Sequence, residues 1–348
     1  MTSILVTGAT GMVGSAFARR AAELGYEVRA MVRRDSNRHA LDGVRIAFVE
    51  GDLADPESLP AALADAEVVV HTAAHVGDWG PAEKYRAINV VALEHMIHAA
   101  SHSSRLKRWV QVSSLGVYPA RHHYGTDEST PADAVGLDGY TRTKAEAEAL
   151  LNHQIREHSF PAVILRPGII YGPGDRHALP RFIEKIDTGK MKIVGRGDRL
   201  INNTYVGNLV DALILAVEKP GIEGETFNIR DERLVTRVEF VNTIADYLGK
   251  PHPRRVPEFI PRLLVGPIER IAKLRGRKDP PFLTRAQIKF MTLNLDYSIA
   301  KAKRVLGYKP AVDFREGIRI ALDDLTGKSP VAKSSQHESA ESPTRAAG

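Results

Sequence analysis

Residues 4–14 read ILVTGATGMVG: an apolar, β-branched run, then glycines at 8, 11 and 14. The next apolar residues keep helical spacing, so the stretch predicts a strand, a tight turn and a helix start. A backbone that wraps a pyrophosphate must approach it closely, and a Cβ at Gly8 or Gly11 would block that approach. The phosphates would bind free N–H groups at the helix N-terminus, and Gly14 would let the helix pack closely on the strand. An ordinary strand-to-helix turn is the alternative, and the rest of the chain discriminates between the two.

Composition sets the broad class of protein. The chain has 348 residues, 43% hydrophobic and 26% charged, enough for one large α/β domain and a smaller one. It has no cysteine, which excludes disulfides, thiolate metal sites and cysteine nucleophiles and favours a cytoplasmic setting. No leader pattern opens the sequence, and no apolar run approaches the ~18 residues of a membrane span. The net charge of +6 is scattered among 42 acidic residues, so we expect no nucleic-acid partner.

Further strand patterns alternate with helical ones, at 26–32, 44–49, 67–71, 107–113 and 162–166. This rhythm predicts an α/β fold with a doubly wound parallel sheet, whose ligands bind beyond the carboxyl ends of the strands. We therefore expect cofactor contacts in the segments that follow the first four strands. The expected residues are Thr7, Gly8, Thr10, Gly11, Met12, Val13, Gly14, Arg33, Asp52, Leu53, Thr72, Ala73 and Ala74.

The end of the second strand bears on the choice of cofactor. An acidic residue there binds the ribose 2′-OH of NAD, whereas an arginine accommodates the 2′-phosphate of NADP. Here Val32 ends the strand and Arg33 and Arg34 follow, which favours NADP, with NAD as the alternative. In the alternative interpretation both arginines are solvated and Asp35 turns back to the ribose.

Small and polar residues follow the next two strands. Asp52 could accept a hydrogen bond from the adenine amino group, or equally cap the helix that starts near Pro56. The residues at 72–74 are Thr-Ala-Ala, whose small side chains would let the backbone lie against the cofactor.

Three residues form a constellation that moves a proton. Tyr140 and Lys144 are four apart on a predicted helix and share one face, and Ser114 lies at the end of the fifth strand. An adjacent ammonium favours the phenolate, so we expect Lys144 to lower the pKa of Tyr140 toward neutrality. Ser114 would donate a hydrogen bond to a substrate oxygen. A surface tyrosine with a solvated lysine is the alternative for the isolated spacing, whereas the combination is specific.

Taken together, several motifs resemble the short-chain dehydrogenase/reductase superfamily in its extended form, over roughly residues 1–325. They are TGATGMVG, HTAA, Asn89, the Ser113-Ser114 pair followed by VY, Tyr140-x-x-x-Lys144 and RPGIIYGPGD. VGDWGPAEKYRAINV, GYTRTKAEAE and KIVGRGDRLINNTYVGNLVDA are most similar to its 3β-hydroxysteroid dehydrogenase and sterol 4α-carboxylate 3-dehydrogenase branch.

The resemblance implies a role for each member of the constellation. Tyr140 would be the general acid/base, Ser114 would orient the substrate oxygen, and Lys144 would bind the nicotinamide ribose and tune Tyr140. Asn89 would support the lysine or a proton relay. Tyr140 and Lys144 thereby join the cofactor contacts, together with Pro167, Gly168 and Ile170 after the sixth strand.

Two positions depart from the pattern of the family. Pro119 follows Tyr118 where relatives commonly have glycine, which affects the loop over the active site. Val32 occupies the acidic ribose position, which supports NADP. The predicted function is an NAD(P)-dependent oxidoreductase that interconverts a secondary alcohol and a ketone on a hydrophobic, sterol-like substrate. The rival hypotheses are a nucleotide-sugar epimerase or dehydratase and a non-catalytic NADP-sensing protein.

The pattern also divides the chain. Residues 1–175, with 205–230 returning to them, would form the cofactor domain, and 176–204 with 231–326 a mainly helical substrate lobe. Residues 327–348 lack apolar content and read as a disordered tail. Helices are expected at 296–306 and 314–325, and a homodimer is one option for assembly.

Residues 259–274, FIPRLLVGPIERIAKL, have apolar positions at helical spacing between basic residues, with a break expected near Gly266-Pro267. Two interpretations stay open: a helix that covers the substrate pocket, or a basic amphipathic element on an anionic membrane. The histidine pairs at 122–123 and 95/98 lack further ligands, so no metal site is predicted.

Overall fold

The computed structural model describes residues 1–133, 138–277 and 279–328. Seven strands form one parallel sheet in the order β3-β2-β1-β4-β5-β6-β7. They are β1 Ser3–Thr7, β2 Glu27–Val32, β3 Ala47–Glu50, β4 Val68–His71, β5 Arg108–Val112, β6 Ala162–Pro167 and β7 Thr226–Ile229. The order reverses direction between β1 and β4, which opens a crevice beyond their carboxyl ends. The predicted doubly wound α/β fold is confirmed.

Helices cover both faces of the sheet. Side chains of β1 alternate between two cores: Ile4 and Val6 pack in one, and Leu5 in the other. A strand buried on both faces is apolar throughout, which explains the uninterrupted run at the start of the chain. The helices are α1 Met12–Glu23, α2 Leu59–Leu63, α3 Ala82–Arg86, α4 Ala92–Ser101, α5 Gly139–His158, α6 Ala178–Asp187, α7 Val206–Glu218, α8 Arg237–Tyr247, α9 Phe259–Leu274, α10 Arg285–Thr292 and α11 Phe314–Leu325.

A π-helical turn at Ala87–Val91 joins α3 to α4. It carries Asn89, whose side chain is buried. Such turns insert an extra residue into a helix and frequently lie at functional sites. The helical stretch from Ala82 to Ser101 is therefore interrupted at Asn89, the residue singled out as a site residue.

The segments predicted to form the substrate lobe contain α6, α8, α9 and α10, together with short strands. Two-stranded pairs join Ile193–Val194 to Arg255–Val256 and Leu200–Ile201 to Val235–Thr236. Two further pairs join Ile169–Tyr171 to Asn203–Tyr205 and His123–Thr126 to Leu295–Tyr297. We propose that these segments act as one lobe.

Two helix predictions in this region are wrong. Residues 296–306 do not form one helix: Leu295–Tyr297 is a strand, because its backbone pairs with His123–Thr126 and the Tyr297 ring stacks on Tyr118 at 5.1 Å. A π-helical turn follows at Ala302–Leu306. The α9 helix continues through Pro267 without the expected break.

No helix in the described ranges is long and apolar enough to cross a membrane. The predicted disordered tail lies outside the described residues, apart from its first two positions.

A buried aspartate ties the edge of the sheet to the lobe. Asp231 follows β7 and is fully buried. Its two carboxylate oxygens accept hydrogen bonds from the backbone N–H of Tyr205 at 2.7 Å, the Asn208 and Asn203 amides at 2.8 Å, and the Tyr171 hydroxyl at 2.9 Å. These hydrogen bonds fix where the lobe begins relative to the ends of β6 and β7.

Candidate active site

The glycine turn after β1 leaves room for a phosphate. Gly8 has φ +66°, and a Cβ built on it would lie 2.8 Å from the backbone nitrogen of Ala73. A Cβ on Gly14 would lie 2.3 Å from the Gly8 carbonyl oxygen. Gly11 is the N-cap residue of α1 and offers no side-chain hydrogen bond, so the first N–H groups of the helix stay available. The turn therefore fits the diphosphate of a dinucleotide.

Hydrogen bonds lock the ends of β1 and β4 together. The Thr7 hydroxyl lies 2.8 Å from His71 Nδ1 and accepts from the Ala73 N–H at 3.3 Å. The Thr72 hydroxyl donates to the Thr7 carbonyl at 2.7 Å. Burial, reinforced by the charge of Lys144, lowers the pKa of His71 to about 3. The imidazole of His71 is therefore neutral where it holds the ends of β1 and β4 together.

The end of β2 presents arginines and an aspartate together. Arg33 Nε lies 3.8 Å from Asp35 Oδ1, and both side chains are mostly exposed. Arg34 forms an ion pair with Glu50 at the end of β3, at 3.1 Å. Arg33 and Asp35 thus lie together at the carboxyl end of β2.

Asp52 follows β3 and closes its own turn. Its Oδ1 accepts a hydrogen bond from the Ala54 N–H at 2.9 Å. The cap of the next helical turn is Asp55, which accepts from the Glu57 N–H at 3.3 Å. The helix is therefore capped by Asp55 and not by Asp52, which removes one of the two alternatives for Asp52. Leu53 packs against the core.

The residues after β6 approach the same edge of the sheet. Pro167 ends the strand, and the Gly168 N–H donates to the Ile229 carbonyl at 3.1 Å. A Cβ on Gly168 would lie 1.8 Å from the Asn202 carbonyl oxygen, so glycine is required there. Ile170 follows in the short strand Ile169–Tyr171.

Ser114, Tyr140 and Lys144 converge between β5 and α5. Ser114 lies two residues after the end of β5, and its hydroxyl contacts the Tyr140 phenol. Asp138 caps the N-terminus of α5, which fixes Tyr140 in the first turn. The Lys144 amine donates to the Val112 carbonyl at 2.8 Å and lies 5.9 Å from the centre of the Tyr140 ring.

The expected lowering of the Tyr140 pKa is wrong. Burial raises the pKa of Tyr140 to about 12; the Ser114 contact lowers it in part and Asp138 raises it. Burial also lowers the pKa of Lys144 to about 8, while Glu148 raises it. The lysine does not act as the strong external cation that was expected, because it is itself desolvated and turned toward the Val112 carbonyl. Tyr140 is therefore a protonated donor at neutral pH.

Asn89 holds α5 in place through the residue beside the lysine. Its amide nitrogen donates to the Thr143 hydroxyl at 3.0 Å and to the His75 carbonyl at 3.1 Å. Its amide oxygen accepts from the His75 N–H at 2.8 Å. Asn89 thus connects the loop after β4 to the helix that carries Tyr140 and Lys144.

The sequence did not predict a buried ion pair that lies next to the site. Glu148 and Arg166 are both buried and form a bidentate pair, with Nη2 to Oε2 at 2.5 Å. The Ser113 hydroxyl donates to Glu148 at 2.5 Å, and Arg166 donates to the Tyr118 hydroxyl at 2.9 Å. The available signal was the position of Glu148 one turn after Lys144 on the same helix face.

A lysine from the lobe also reaches the site. Lys289 on α10 donates to the carbonyls of Gly116 and Tyr118, at 3.3 and 3.4 Å. Burial lowers the pKa of Lys289, while the nearby carboxylates Asp138 and Asp133 raise it. It lies 175 residues after Ser114, so no local pattern could have indicated it.

The lobe contains a cavity of about 210 Å³ with a mainly apolar wall. Its charged lining is Arg181, Lys185, Lys192 and Arg237 against a single carboxylate, Asp78. Asp78 accepts hydrogen bonds from Thr284 and Gln287 at the start of α10. The apolar wall includes Phe182, Ile193, Phe240, Phe290 and Met291.

A parallel sheet with a glycine cradle, and a serine, tyrosine and lysine at its carboxyl edge, defines the extended short-chain dehydrogenase/reductase class. The chain belongs to the NAD dependent epimerase/dehydratase family, whose model matches residues 4–229. It is accordingly an NAD(P)-dependent enzyme that uses a nicotinamide cofactor.

Curated relatives cover nearly the whole chain. It is 32% identical to the 2-alkyl-3-oxoalkanoate reductase of Stenotrophomonas maltophilia, over 91% of this chain and 97% of that protein. It is 29% identical to the sterol-4-alpha-carboxylate 3-dehydrogenase of Candida albicans, over 93% and 97%. The crystal structure of gox2253 superimposes with a TM-score of 0.80 at 27% identity, over 94% and 99%. The predicted resemblance to the extended superfamily and its sterol dehydrogenase branch is confirmed.

Proposed function

We propose that this enzyme interconverts a secondary alcohol and a ketone on a hydrophobic substrate, with NADP as the preferred cofactor. The observation that carries the proposal is the meeting of the Ser114 hydroxyl and the Tyr140 phenol above the buried Lys144 amine. A bound nicotinamide supplies or accepts the hydride. The chain itself has to hold the reacting oxygen and move one proton.

Tyr140 and Ser114 share the work on the reacting oxygen. The phenol is protonated at neutral pH, so in the reductive direction it donates its proton to the oxygen as the carbonyl becomes an alcohol. Ser114 gives a second hydrogen bond that fixes the oxygen next to the phenol. Lys144, held by the Val112 carbonyl, is the residue that would contact the nicotinamide ribose.

The cofactor contacts follow from the edge of the sheet. Gly8 and Gly14 leave the space that a diphosphate needs, and the uncapped start of α1 offers N–H groups to it. Arg33 would face the adenosine ribose, which supports NADP, while Asp35 beside it supports NAD. Comparing the dissociation constants of NADPH and NADH in Arg33→Ala and Asp35→Ala separates the two.

The names of the two relatives and the charge of Lys289 support one class of substrate. The two relatives above are named for a 3-oxoalkanoate and for a sterol carboxylate, and each of these molecules joins an apolar body to a carboxylate. Lys289 places an amine next to the segment after Ser114. We propose a hydrophobic 3-oxo or 3-hydroxy acid as the class of substrate to test first.

The test is the Tyr140→Phe variant, assayed for cofactor turnover with a panel of ketones. Loss of the proton donor lowers kcat by roughly 10²- to 10⁴-fold, while NADPH still binds, because the ring and Lys144 stay in place. Tyr124→Phe is the matched control, since Tyr124 is an exposed tyrosine outside the site. Full activity of Tyr140→Phe would overturn the assignment.

The assay also separates the rival functions. An epimerase returns the hydride to the same molecule, so the absorbance of the reduced nicotinamide shows no net change during its turnover. A sensing protein binds NADPH and turns over no member of the panel. Net consumption of NADPH with a ketone supports the oxidoreductase.

A further inference from the structure

The α9 helix carries an apolar surface that the rest of the fold leaves uncovered. Among the described residues, twelve large apolar side chains are exposed, and seven of these lie between 259 and 282. On α9 itself Leu274 is 81% exposed, Leu263 73% and Phe259 68%. Ile260, Leu264 and Ile271 are also exposed, so the set recurs at helical spacing along one side of the helix.

Basic residues surround this surface. Between residues 254 and 277 the chain has seven Lys or Arg and two Glu, so this stretch accounts for five of the six net positive charges of the protein. Both glutamates are neutralised locally: Glu258 pairs with Arg262 and Glu269 with Arg285. The field around α9 is therefore strongly positive, while the field of the remaining surface is close to balanced.

This combination of charge and apolar area selects among partners. A second copy of the chain would bring an equally positive face, and the two faces would repel each other. A bilayer with anionic headgroups matches both features, since it attracts the cations and accepts the apolar side chains. The helix is too short and too charged to span a bilayer, so it would lie in the interface.

The same helix is coupled to the candidate active site. The Trp79 indole donates to the Arg277 carbonyl at 3.0 Å, and the Lys273 amine lies 6.0 Å from the centre of the Trp79 ring. The Trp79 carbonyl accepts from the Tyr85 hydroxyl at 2.7 Å. A Cβ on Gly139 would lie 2.6 Å from the Tyr85 ring, which shows how closely Tyr85 packs at the residue before Tyr140.

We propose that α9 docks the enzyme on the surface of an anionic membrane and that the substrate passes from the lipid phase to the site beside it. Docking needs only the exposed apolar side chains and the cations of α9, and it does not depend on the reaction. The proposed function explains why docking is useful, because a hydrophobic substrate resides in the bilayer.

The test is sedimentation of the full chain with vesicles. Vesicles of phosphatidylcholine with phosphatidylserine should bind the protein at low salt, and phosphatidylcholine alone should bind it at least about tenfold more weakly. Leu263→Glu/Leu274→Glu should lower the affinity by at least about tenfold, because two apolar anchors are lost and two negative charges are added. Leu24→Glu/Tyr124→Glu, which changes exposed side chains elsewhere, should bind like the wild type.

A second pair of variants tests the charges. Arg270→Gln/Arg275→Gln should weaken binding at least about tenfold, whereas Arg304→Gln/Lys309→Gln on another part of the surface should not. Equal binding by the α9 variants and their controls, or no sedimentation with anionic vesicles at low salt, would overturn the proposal. So would a dimer in sedimentation velocity that Leu263→Glu/Leu274→Glu dissociates, since the apolar surface would then belong to a second copy. Retained NADPH binding shows that each variant is folded.

Discussion

The carboxyl edge of the sheet and the α9 helix depart from the usual distribution of polarity in opposite directions. At the sheet edge Lys144, Glu148 and Arg166 are charged and buried. On α9, leucines and a phenylalanine are apolar and exposed. A buried charge costs free energy unless it is paired, and a contiguous exposed apolar patch marks a binding surface. The two departures therefore locate the candidate active site and the proposed docking surface.

The two regions also differ in what compensates the departure. Glu148 and Arg166 neutralise each other and use their remaining polar atoms on Ser113 and Tyr118. Lys144 has only a backbone carbonyl as its hydrogen-bond partner in the described ranges. No described part of the protein covers the exposed apolar side chains of α9. We therefore expect the Glu148–Arg166 pair to stabilise the fold and the buried Lys144 to destabilise it. The exposed face of α9 should leave the free energy of unfolding nearly unchanged.

The largest effect is expected from Glu148→Ala. This change leaves the Arg166 guanidinium buried without its partner, and breaking such a pair typically costs about 3–5 kcal/mol. Urea unfolding of the variant measures the loss. Glu23→Ala is the control: Glu23 pairs with Arg20 in an exposed position, and its loss should cost no more than about 1 kcal/mol. Similar costs for both variants would contradict the role given to the buried pair.

A smaller effect of opposite sign is expected from Lys144→Met. The pKa of Lys144 falls from 10.5 to about 8 on folding, so between these values the unfolded chain binds a proton that the folded chain does not. The contribution of this group to the unfolding free energy therefore rises with pH from 8 to 10.5 and is lost as pH falls through that window. The wild type should gain roughly 3 kcal/mol relative to the variant across the window. Parallel pH profiles of unfolding would show that the lysine is not desolvated.

The smallest effect is expected from Leu263→Glu/Leu274→Glu. Both side chains are already in water, so the unfolding free energy in the absence of lipid should change by no more than about 0.5 kcal/mol. Thermal unfolding with and without anionic vesicles is the measurement. A large loss of stability without lipid would mean that α9 is covered by the protein itself.

The sequence was sufficient for the sheet and its cradle because the causes there are local. A strand buried on both faces must be apolar throughout, and Gly8 and Gly14 are required by contacts with their own turn and the adjacent strand end. Tyr140 and Lys144 are neighbours on one helix, so their convergence follows from spacing alone.

Where the cause is distant, the sequence was not sufficient. Leu295–Tyr297 resembles a helix start, yet it becomes a strand because residues 123–126 offer it a backbone edge. Lys289 enters the site because α10 packs across the loop after Ser114. The pKa of Tyr140 could not be judged from the proximity of a lysine, since its burial outweighs the charge.

The path of the chain through the sheet has a consequence for synthesis. The last strand of the sheet, β7, is made after the segment at 176–204, and further lobe elements follow it. On the ribosome β6 is therefore the temporary edge of the sheet until β7 emerges, while residues 176–204 have already been made. A chaperone would meet β6 with one unpaired side during that interval.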